Sequence, residues 1–252
     1  MNEYNIPRAI ELIDAAKHIA VLTGAGMSAE SGIPTFRDAL TGLWENYDPE
    51  DLACRRAFTQ DKELVWGWYE WRRMKALQAQ PNAGHLALAE LAKRKEVTII
   101  TQNVDDLHER AGSPVIHHLH GSLHHPICFA CARPWVPLPG IPDEPEGGRR
   151  ICPPRCGHCR GYIRPGVVWF GEDLPQREWA RSVNAVLKSD VVLAIGTSGI
   201  VRPAADLPLM ASSRGTTVIV VNPKMSQHDK LSLCVRGTAA EALPLICGST
   251  SN

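Results

Sequence analysis

Thr23-Gly24-Ala25-Gly26-Met27-Ser28-Ala29 is the stretch on which the fold turns. It follows the apolar run Ile19-Ala20-Val21-Leu22 and fits the pattern G-x-G-x-x-A. In that pattern the first glycine makes a tight strand-to-helix turn. The second lets the backbone approach a pyrophosphate, and the small third residue packs helix on strand. The helix N-terminus then supplies amides and positive dipole. Alone the pattern is weak, because an ordinary turn in an α/β protein reads the same way.

The surrounding chain gives the turn its setting. Short β-branched runs recur at residues 19–23, 97–101, 115–118, 191–196 and 217–222. Nearly continuous apolar runs are what strands buried on both faces of a parallel sheet look like. Helix-length stretches alternate with them, at residues 7–18, 83–95 and 175–188. This alternation predicts a doubly wound α/β fold with a parallel sheet, a Rossmann-like domain. Two segments break the rhythm. Residues 38–81 are tryptophan-rich and helical in character, and residues 122–165 are crowded with Pro, Gly and Cys. They read as a helical insert and a zinc-binding insert that form a smaller lobe. Residues 1–37, 82–121 and 166–252 then make up the Rossmann-like domain.

Composition narrows the functions. The 252 residues carry 27 Lys+Arg and 27 Asp+Glu, so nothing attracts a polyanion and no nucleic-acid partner is expected. The apolar runs are too short to span a bilayer. Residues 1–8 lack the pattern of a secretory signal. The expectation is a cytoplasmic, monomeric protein without a membrane partner.

Five of the eight cysteines lie between Cys128 and Cys159. Cys128-x2-Cys131 and Cys156-x2-Cys159, separated by 24 residues, suit a tetrahedral structural Zn²⁺. A Pro/Gly-rich segment has little core of its own, and metal ligation would supply folding energy. Cys152-x3-Cys156 could compete as a pair. His158 reads as exposed rather than ligating.

The segment His117-His118-Leu119-His120-Gly121 ends a strand, where open α/β sheets face their ligand crevice. Histidine is the natural base near neutral pH, yet the residues alone do not rank the three. A dinucleotide used for hydride transfer would need an acid ending a second strand about 20 residues after the glycines. Glu45, Asp48, Glu50 and Asp51 stand in that region, but no strand leads into them. Tyr69 and Arg72 sit at i and i+3 in a helix-like stretch that contains Gly67. A phenol beside a guanidinium can receive a carboxylate. Spacing alone favours a core-facing aromatic helix with surface arginines, because aromatic stripes usually face a core.

Residues 24–38, GAGMSAESGIPTFRD, closely resemble the signature of the sirtuin family. Further matches follow in order: Thr101-Gln102-Asn103-Val104-Asp105, Leu119-His120-Gly121, the paired CxxC, Val168-Trp169-Phe170-Gly171-Glu172, Gly196-Thr197-Ser198 and Val221-Asn222-Pro223. The resemblance covers nearly the whole chain.

It implies an NAD-dependent protein-lysine deacylase with NAD as co-substrate and structural Zn²⁺. Acyl-lysine oxygen attacks C1′ of the nicotinamide ribose, nicotinamide leaves, and the products are free lysine and O-acyl-ADP-ribose. The family's base precedes the glycine, which selects His120, with Asn103 and Asp105 orienting the nicotinamide ribose and carboxamide. Gly24, Ala25, Gly26, Ser28, Thr35, Phe36 and Arg37 would hold NAD, with Gln102 beside them. Gly196, Thr197 and Ser198 would meet ribose and phosphates, Asn222 the adenosine ribose, and Ala239 the adenine. The family's last zinc ligands lie just before a G-x-[LI]-R-P stretch, which favours Cys156 and Cys159 over Cys152.

The resemblance also implies an acyl group. Tyr69 and Arg72 occupy the Y-x-x-R position of class III sirtuins, which remove succinyl, malonyl and glutaryl groups, and Ala53 matches a small residue that widens the pocket. Arg202 stands where an uncharged residue is expected. Deacetylation is expected alongside. A protein or peptide substrate would lie as a strand along Val168, Phe170, Gly171 and Glu172, by β-augmentation. A predominantly deacetylating enzyme and a mono-ADP-ribosyltransferase are the alternatives.

Overall fold

The computed structural model describes residues 5–34, 47, 48, 52–231 and 233–248. Its elements, in chain order, are α1 (Asn5–Ala15), β1 (His18–Thr23), α2 (Arg55–Gln60), α3 (Lys62–Gln78), α4 (Ala83–Leu91), β2 (Glu96–Thr101) and α5 (Leu107–Ala111). Then come β3 (Ile116–His118), β4 (Gly121–Cys128), β5 (Ile163–Val167), α6 (Gln176–Lys188), β6 (Val191–Ile195), α7 (Asp206–Ser212), β7 (Thr217–Val221), β8 (Leu233–Val235) and α8 (Ala239–Cys247).

Six strands form one sheet in the order β3-β2-β1-β6-β7-β8, all pairs parallel. The strand interiors are apolar because both faces are covered. In β1, Ile19 and Val21 enter a cluster built with α1, α4 and α8, while Ala20 and Leu22 enter a second one with α6 and α7. The alternation of a strand thus feeds two separate cores. Strand order runs one way from β1 through β2 and the other way from β6, so the sheet reverses between β1 and β6. Ligands of open α/β sheets bind at the carboxyl ends of the strands at such a point.

The predicted helix directly after Gly24 does not form. Ala25–Met27 and Ala29–Ser31 are two successive 3₁₀ turns. The Gly26 amide donates to the Gly196 carbonyl (2.9 Å) instead of entering an α-helix, and Gly24 N donates to Ile195 O (3.0 Å). The loop after β1 is therefore stitched to the loop after β6. Side chains would not fit: a Cβ on Gly24 would lie 2.8 Å from Gly196 O, and one on Gly26 2.7 Å from Gly196 Cα. Both glycines are demanded by this crossing before any ligand is considered.

The second lobe joins α2 and α3 to β4 and β5, which pair antiparallel in a separate sheet. Asp61 caps α3 by accepting from Leu64 N (3.1 Å). Trp68, Trp71, Trp169, Phe58 and Tyr69 fill its core. Gly67, unfavourable in a helix interior, has its reason here. The 149–151 segment crosses α3 so closely that a Cβ on Gly67 would lie 1.9 Å from Arg149 O, and Ile151 N donates to Glu63 O (3.1 Å). Among the described residues, no helix is long and apolar enough to cross a membrane.

Candidate active site

The carboxyl ends of the parallel strands supply the crevice. β1 delivers Thr23 and the Gly24, Ala25, Gly26 and Ser28 turn; β2 delivers Gln102, Asn103 and Asp105; β6 delivers Gly196, Thr197 and Ser198; β7 delivers Asn222. Gln102 Nε2 donates to Thr197 Oγ1 (3.2 Å) and Asn222 Nδ2 to Thr197 O (2.9 Å), so the groups from β2, β6 and β7 share one polar rim. Ser198 is exposed at the mouth. Ala239 is buried at the start of α8, where its carbonyl lies against Gly84. Thr35, Phe36 and Arg37 lie outside the described residues.

Below the rim is a buried network. Ser28 Oγ donates to Asp105 Oδ2 (3.0 Å) and accepts from Asn103 Nδ2 (3.1 Å). Asn103 N donates to Thr101 Oγ1 (3.0 Å), which also accepts from Thr23 Oγ1 (2.8 Å). Burial pushes the Asp105 carboxyl up, against donation from Leu107 N and Ser28. Asn103 and Asp105 are thus held by groups from two strands. The motifs include Thr23 and Thr101 but give them no role, and they do not include His108, whose Nε2 lies 3.2 Å from Thr23 Oγ1; the signal for the two threonines was a polar residue ending an apolar strand.

The three histidines now separate. His117 Nδ1 meets Glu178 (3.0 Å) and His118 Nε2 meets Glu109 (2.6 Å). Burial lowers the His118 pKa, but the Glu109 carboxylate outweighs it and the net shift is upward. His120 instead has Nδ1 3.1 Å from Gln102 O. A carbonyl can only accept, so Nδ1 carries the proton and Nε2 keeps its lone pair. Burial lowers the His120 pKa below 6.5 despite that bond. A neutral imidazole with a free Nε2 is what a base at neutral pH requires.

Beside the network, α3 brings Tyr69 and Arg72 together. The Arg72 guanidinium stacks 4.8 Å from the Trp68 ring centre and 5.4 Å from that of Tyr69. Burial lowers the Arg72 pKa, opposed by Tyr69 and by the Asp105 charge, which ties this corner to the network. Burial likewise pushes Tyr69 up to about 12, so the phenol stays protonated. Its oxygen accepts from Trp169 Nε1 (3.1 Å).

The loop after β5 closes the other wall. Val168 N donates to His120 O (2.9 Å), Phe170 N to Ala53 O (2.9 Å) and Glu172 N to Trp169 O (3.0 Å). Trp169 N donates to Glu172 Oε2 (3.0 Å). The amides of Val168, Trp169, Phe170 and Glu172 are therefore used within the protein, and a strand laid along this loop meets its carbonyls and Gly171 instead. The Glu172 carboxylate receives both Arg164 nitrogens (2.5 and 2.9 Å) and Arg55 (3.2 Å), so it clasps the loop. Phe170 is exposed at the rim.

The sulfurs of Cys128, Cys131, Cys156 and Cys159 lie within 4.8 Å of one another, with Cys128–Cys159 at 3.5 Å and Cys131–Cys156 at 3.8 Å. Zn–S bonds of about 2.3 Å in a tetrahedron require sulfur separations of about 3.8 Å. Backbone donation from Cys159 and His158 lowers the Cys156 thiol to about 6. Cys159 is lowered by Gly161 N, but bonds with Cys128 and Cys131 push it up to about 12. Thiols so crowded resist collective ionisation, and a divalent cation removes that resistance. The donor set fits zinc. Cys152 is exposed, its Sγ 3.8 Å from Pro153 O and outside the cluster, and His158 is exposed.

One buried pair under the site carries a pH prediction. The His85 and His108 ring centres are 4.9 Å apart. Burial, with a smaller push from the Arg110 charge, lowers His85 to about 4, and burial lowers His108 as well. Unfolded histidine titrates near 6.5, so between pH 6.5 and 4 the unfolded chain binds the proton that folded His85 refuses. Stability is therefore complete above pH 6.5 and is lost as pH falls toward 4. His85 alone should cost about 2 kcal/mol between pH 7 and pH 5. Urea unfolding at the two pH values measures this. His85→Gln, which can still accept from Asn82 N at the α4 cap, should flatten the dependence; an unchanged slope rejects the assignment.

The comparisons with known proteins give the chain its family. The profile of the Sir2 family matches residues 24–203. A protein named NAD-dependent protein deacylase from Methylococcus capsulatus is 57% identical over 233 residues, covering 92% of this chain and 91% of that protein. A solved Sir2 homologue in complex with NAD is similar with a TM-score of 0.86 and 43% identity, covering 96% of this chain and 92% of that one. A variant Sir2 homologue with 2′-O-acetyl-ADP-ribose gives a TM-score of 0.85 and 41% identity over 97% and 99% of the two chains. With its glycine turn at a sheet reversal, its histidine at the carboxyl end of the sheet and its four-cysteine cluster, the chain belongs to the Sir2, or sirtuin, family.

Proposed function

We propose that this protein is an NAD-dependent protein-lysine deacylase that removes succinyl and malonyl groups, and acetyl groups as well, from proteins of the cytoplasm. The observation that carries the acyl preference is the Tyr69–Arg72 pair, Tyr69 buried and Arg72 half-buried, one helical turn apart, with the Arg72 guanidinium also feeling the Asp105 charge. Family membership and the NAD and O-acetyl-ADP-ribose complexes of its relatives support the reaction.

NAD, when bound, supplies the ADP-ribosyl group that releases nicotinamide and accepts the acyl chain. The protein's part follows from the geometry. Gln102, Asn103, Thr197 and Asn222 form the polar rim for ribose and phosphates. Ser28, Asn103 and Asp105, fixed to one another, hold the nicotinamide end. His120 presents a neutral Nε2 to take a proton from a ribose hydroxyl, its ring aimed by Gln102 O. Tyr69 and Arg72 receive the terminal carboxylate of the acyl chain, the guanidinium as a fork and the phenol as one further donor. Zinc lies in the lobe and does no chemistry.

Arg72→Met tests the acyl claim. Loss of one guanidinium–carboxylate contact should lower the succinyl-to-acetyl ratio of kcat/KM about 10- to 150-fold. A ratio that stays within twofold of wild type removes the carboxylate receptor.

A further inference from the structure

The Tyr69 hydroxyl faces a donor. Trp169 Nε1 donates to its oxygen at 3.1 Å, and an indole N–H can only donate. The Arg72 guanidinium, stacked over the same ring, likewise carries donors and no acceptor atom. Tyr69 is buried, and its oxygen has already taken the indole proton as acceptor. The hydrogen it still carries therefore requires an acceptor that neither neighbour provides. A carboxylate oxygen of a bound acyl chain is such an acceptor, and it is the group Arg72 favours.

The indole is itself fixed from below. The Arg164 guanidinium lies 3.4 Å from the centre of the Trp169 ring. It donates to Val167 O (2.7 Å) and Pro165 O (3.2 Å), and forks onto Glu172. Glu172 returns a bond to Trp169 N at 3.0 Å. Arg164 is buried, and together these contacts fix the backbone and the ring face of Trp169 at once. The ring also packs against Phe58 and Phe129, at 5.5 and 6.4 Å between centres, and its N–H edge meets Tyr69.

We propose that Trp169, held by the Arg164–Glu172 clasp, is a specificity-determining residue. By donating to the Tyr69 oxygen it turns that hydroxyl's own hydrogen toward the carboxylate of a dicarboxylic acyl chain. The proposal rests on the carboxylate-receptor reading above. Trp169 acts through Tyr69 and is a positioning residue. Its removal raises KM for carboxylate-bearing acyl groups more than it changes kcat.

The test is a double-mutant cycle in the zinc-loaded full chain, with Trp169→Phe, Tyr69→Phe and the pair. Trp169→Phe keeps an aromatic ring and removes only the N–H and the second ring. Peptides bearing succinyl-, acetyl- and butyryl-lysine are compared, butyryl being the neutral chain of similar length. The succinyl-to-butyryl ratio of kcat/KM should fall about 3- to 10-fold in Trp169→Phe, the range of one net hydrogen bond, chiefly through KM. In the Tyr69→Phe background the same substitution should leave that ratio where Tyr69→Phe put it, because the hydroxyl it orients is gone.

A purely structural Trp169 would lower all three substrates in proportion and leave the ratio unchanged, which overturns the proposal. So does an additive cycle. The two claims fail differently. A wild-type enzyme that does not distinguish succinyl from butyryl overturns the carboxylate reading and this proposal with it. A wild-type preference that survives Trp169→Phe overturns this proposal alone.

Discussion

Replacing His120 with alanine should lower NAD-dependent deacylation about 10²- to 10⁴-fold while leaving the fold in place, the usual range for a general base. The reason is local. His120 contributes one hydrogen bond to the scaffold, to Gln102 O, whereas its backbone carbonyl holds Val168 N and survives the substitution. Thermal unfolding should shift by no more than about 2 kcal/mol, the cost of one such bond with its packing. The wild-type profile adds a second check. Because burial lowers the His120 pKa, kcat/KM should be flat near neutrality and fall only below pH 6.5. His118→Ala, by contrast, removes a histidine paired with Glu109 and should not abolish that acid limb. Turnover retained in His120→Ala would place the base elsewhere.

Removing zinc should have the largest effect on the fold. The cluster that includes Cys128 and Cys156 also holds Trp66, Ile163, Trp135 and Ile151, a small apolar set for a lobe rich in Pro and Gly. Structural zinc contributes about 10–16 kcal/mol in isolated zinc-finger peptides. Without it the two knuckles have little to hold them. Trp66 lies on α3, one turn from Tyr69, so loss of zinc should also loosen the Tyr69–Arg72 corner. One zinc per chain is expected by metal analysis. Chelation or Cys156→Ser should lower the melting temperature and collapse succinyl-lysine turnover together. Cys152→Ser, at an exposed thiol outside the cluster, should bind zinc as the parent does. Zinc loss in Cys152→Ser would contradict the ligand set.

What could be read from the sequence followed physical reach. The strands were legible because they are buried on both faces, so their apolar runs are nearly unbroken, as in Val191–Ile195. The zinc ligands were legible because each knuckle is local. The short β8 and α7 gave no periodic signal to find. The helix expected after Gly24 failed for a nonlocal reason: the Gly26 amide is claimed by Gly196, 170 positions away in the chain. The histidines could not be ranked because Glu178, Glu109 and Gln102, which separate them, come from three different elements. The Trp169–Tyr69 bond joins residues 100 positions apart, and neither half announces the other. The role of the Glu172 carboxylate, which clasps Arg164 eight positions before it, was not legible either, because the motif points only to the backbone of this loop.

If the proposed reaction is right, this crevice transfers the acyl group of a lysine to ADP-ribose. The direct measurement incubates the zinc-loaded protein with NAD and matched succinyl-, malonyl- and acetyl-lysine peptides. Nicotinamide, free lysine peptide and O-acyl-ADP-ribose are quantified together by mass spectrometry. All three should appear in a 1:1:1 ratio, fastest with the dicarboxylic acyl groups, and none should appear without NAD. Peptide deacylated with NAD left intact, or NAD consumed with ADP-ribose attached to protein and the acyl-lysine untouched, would contradict it.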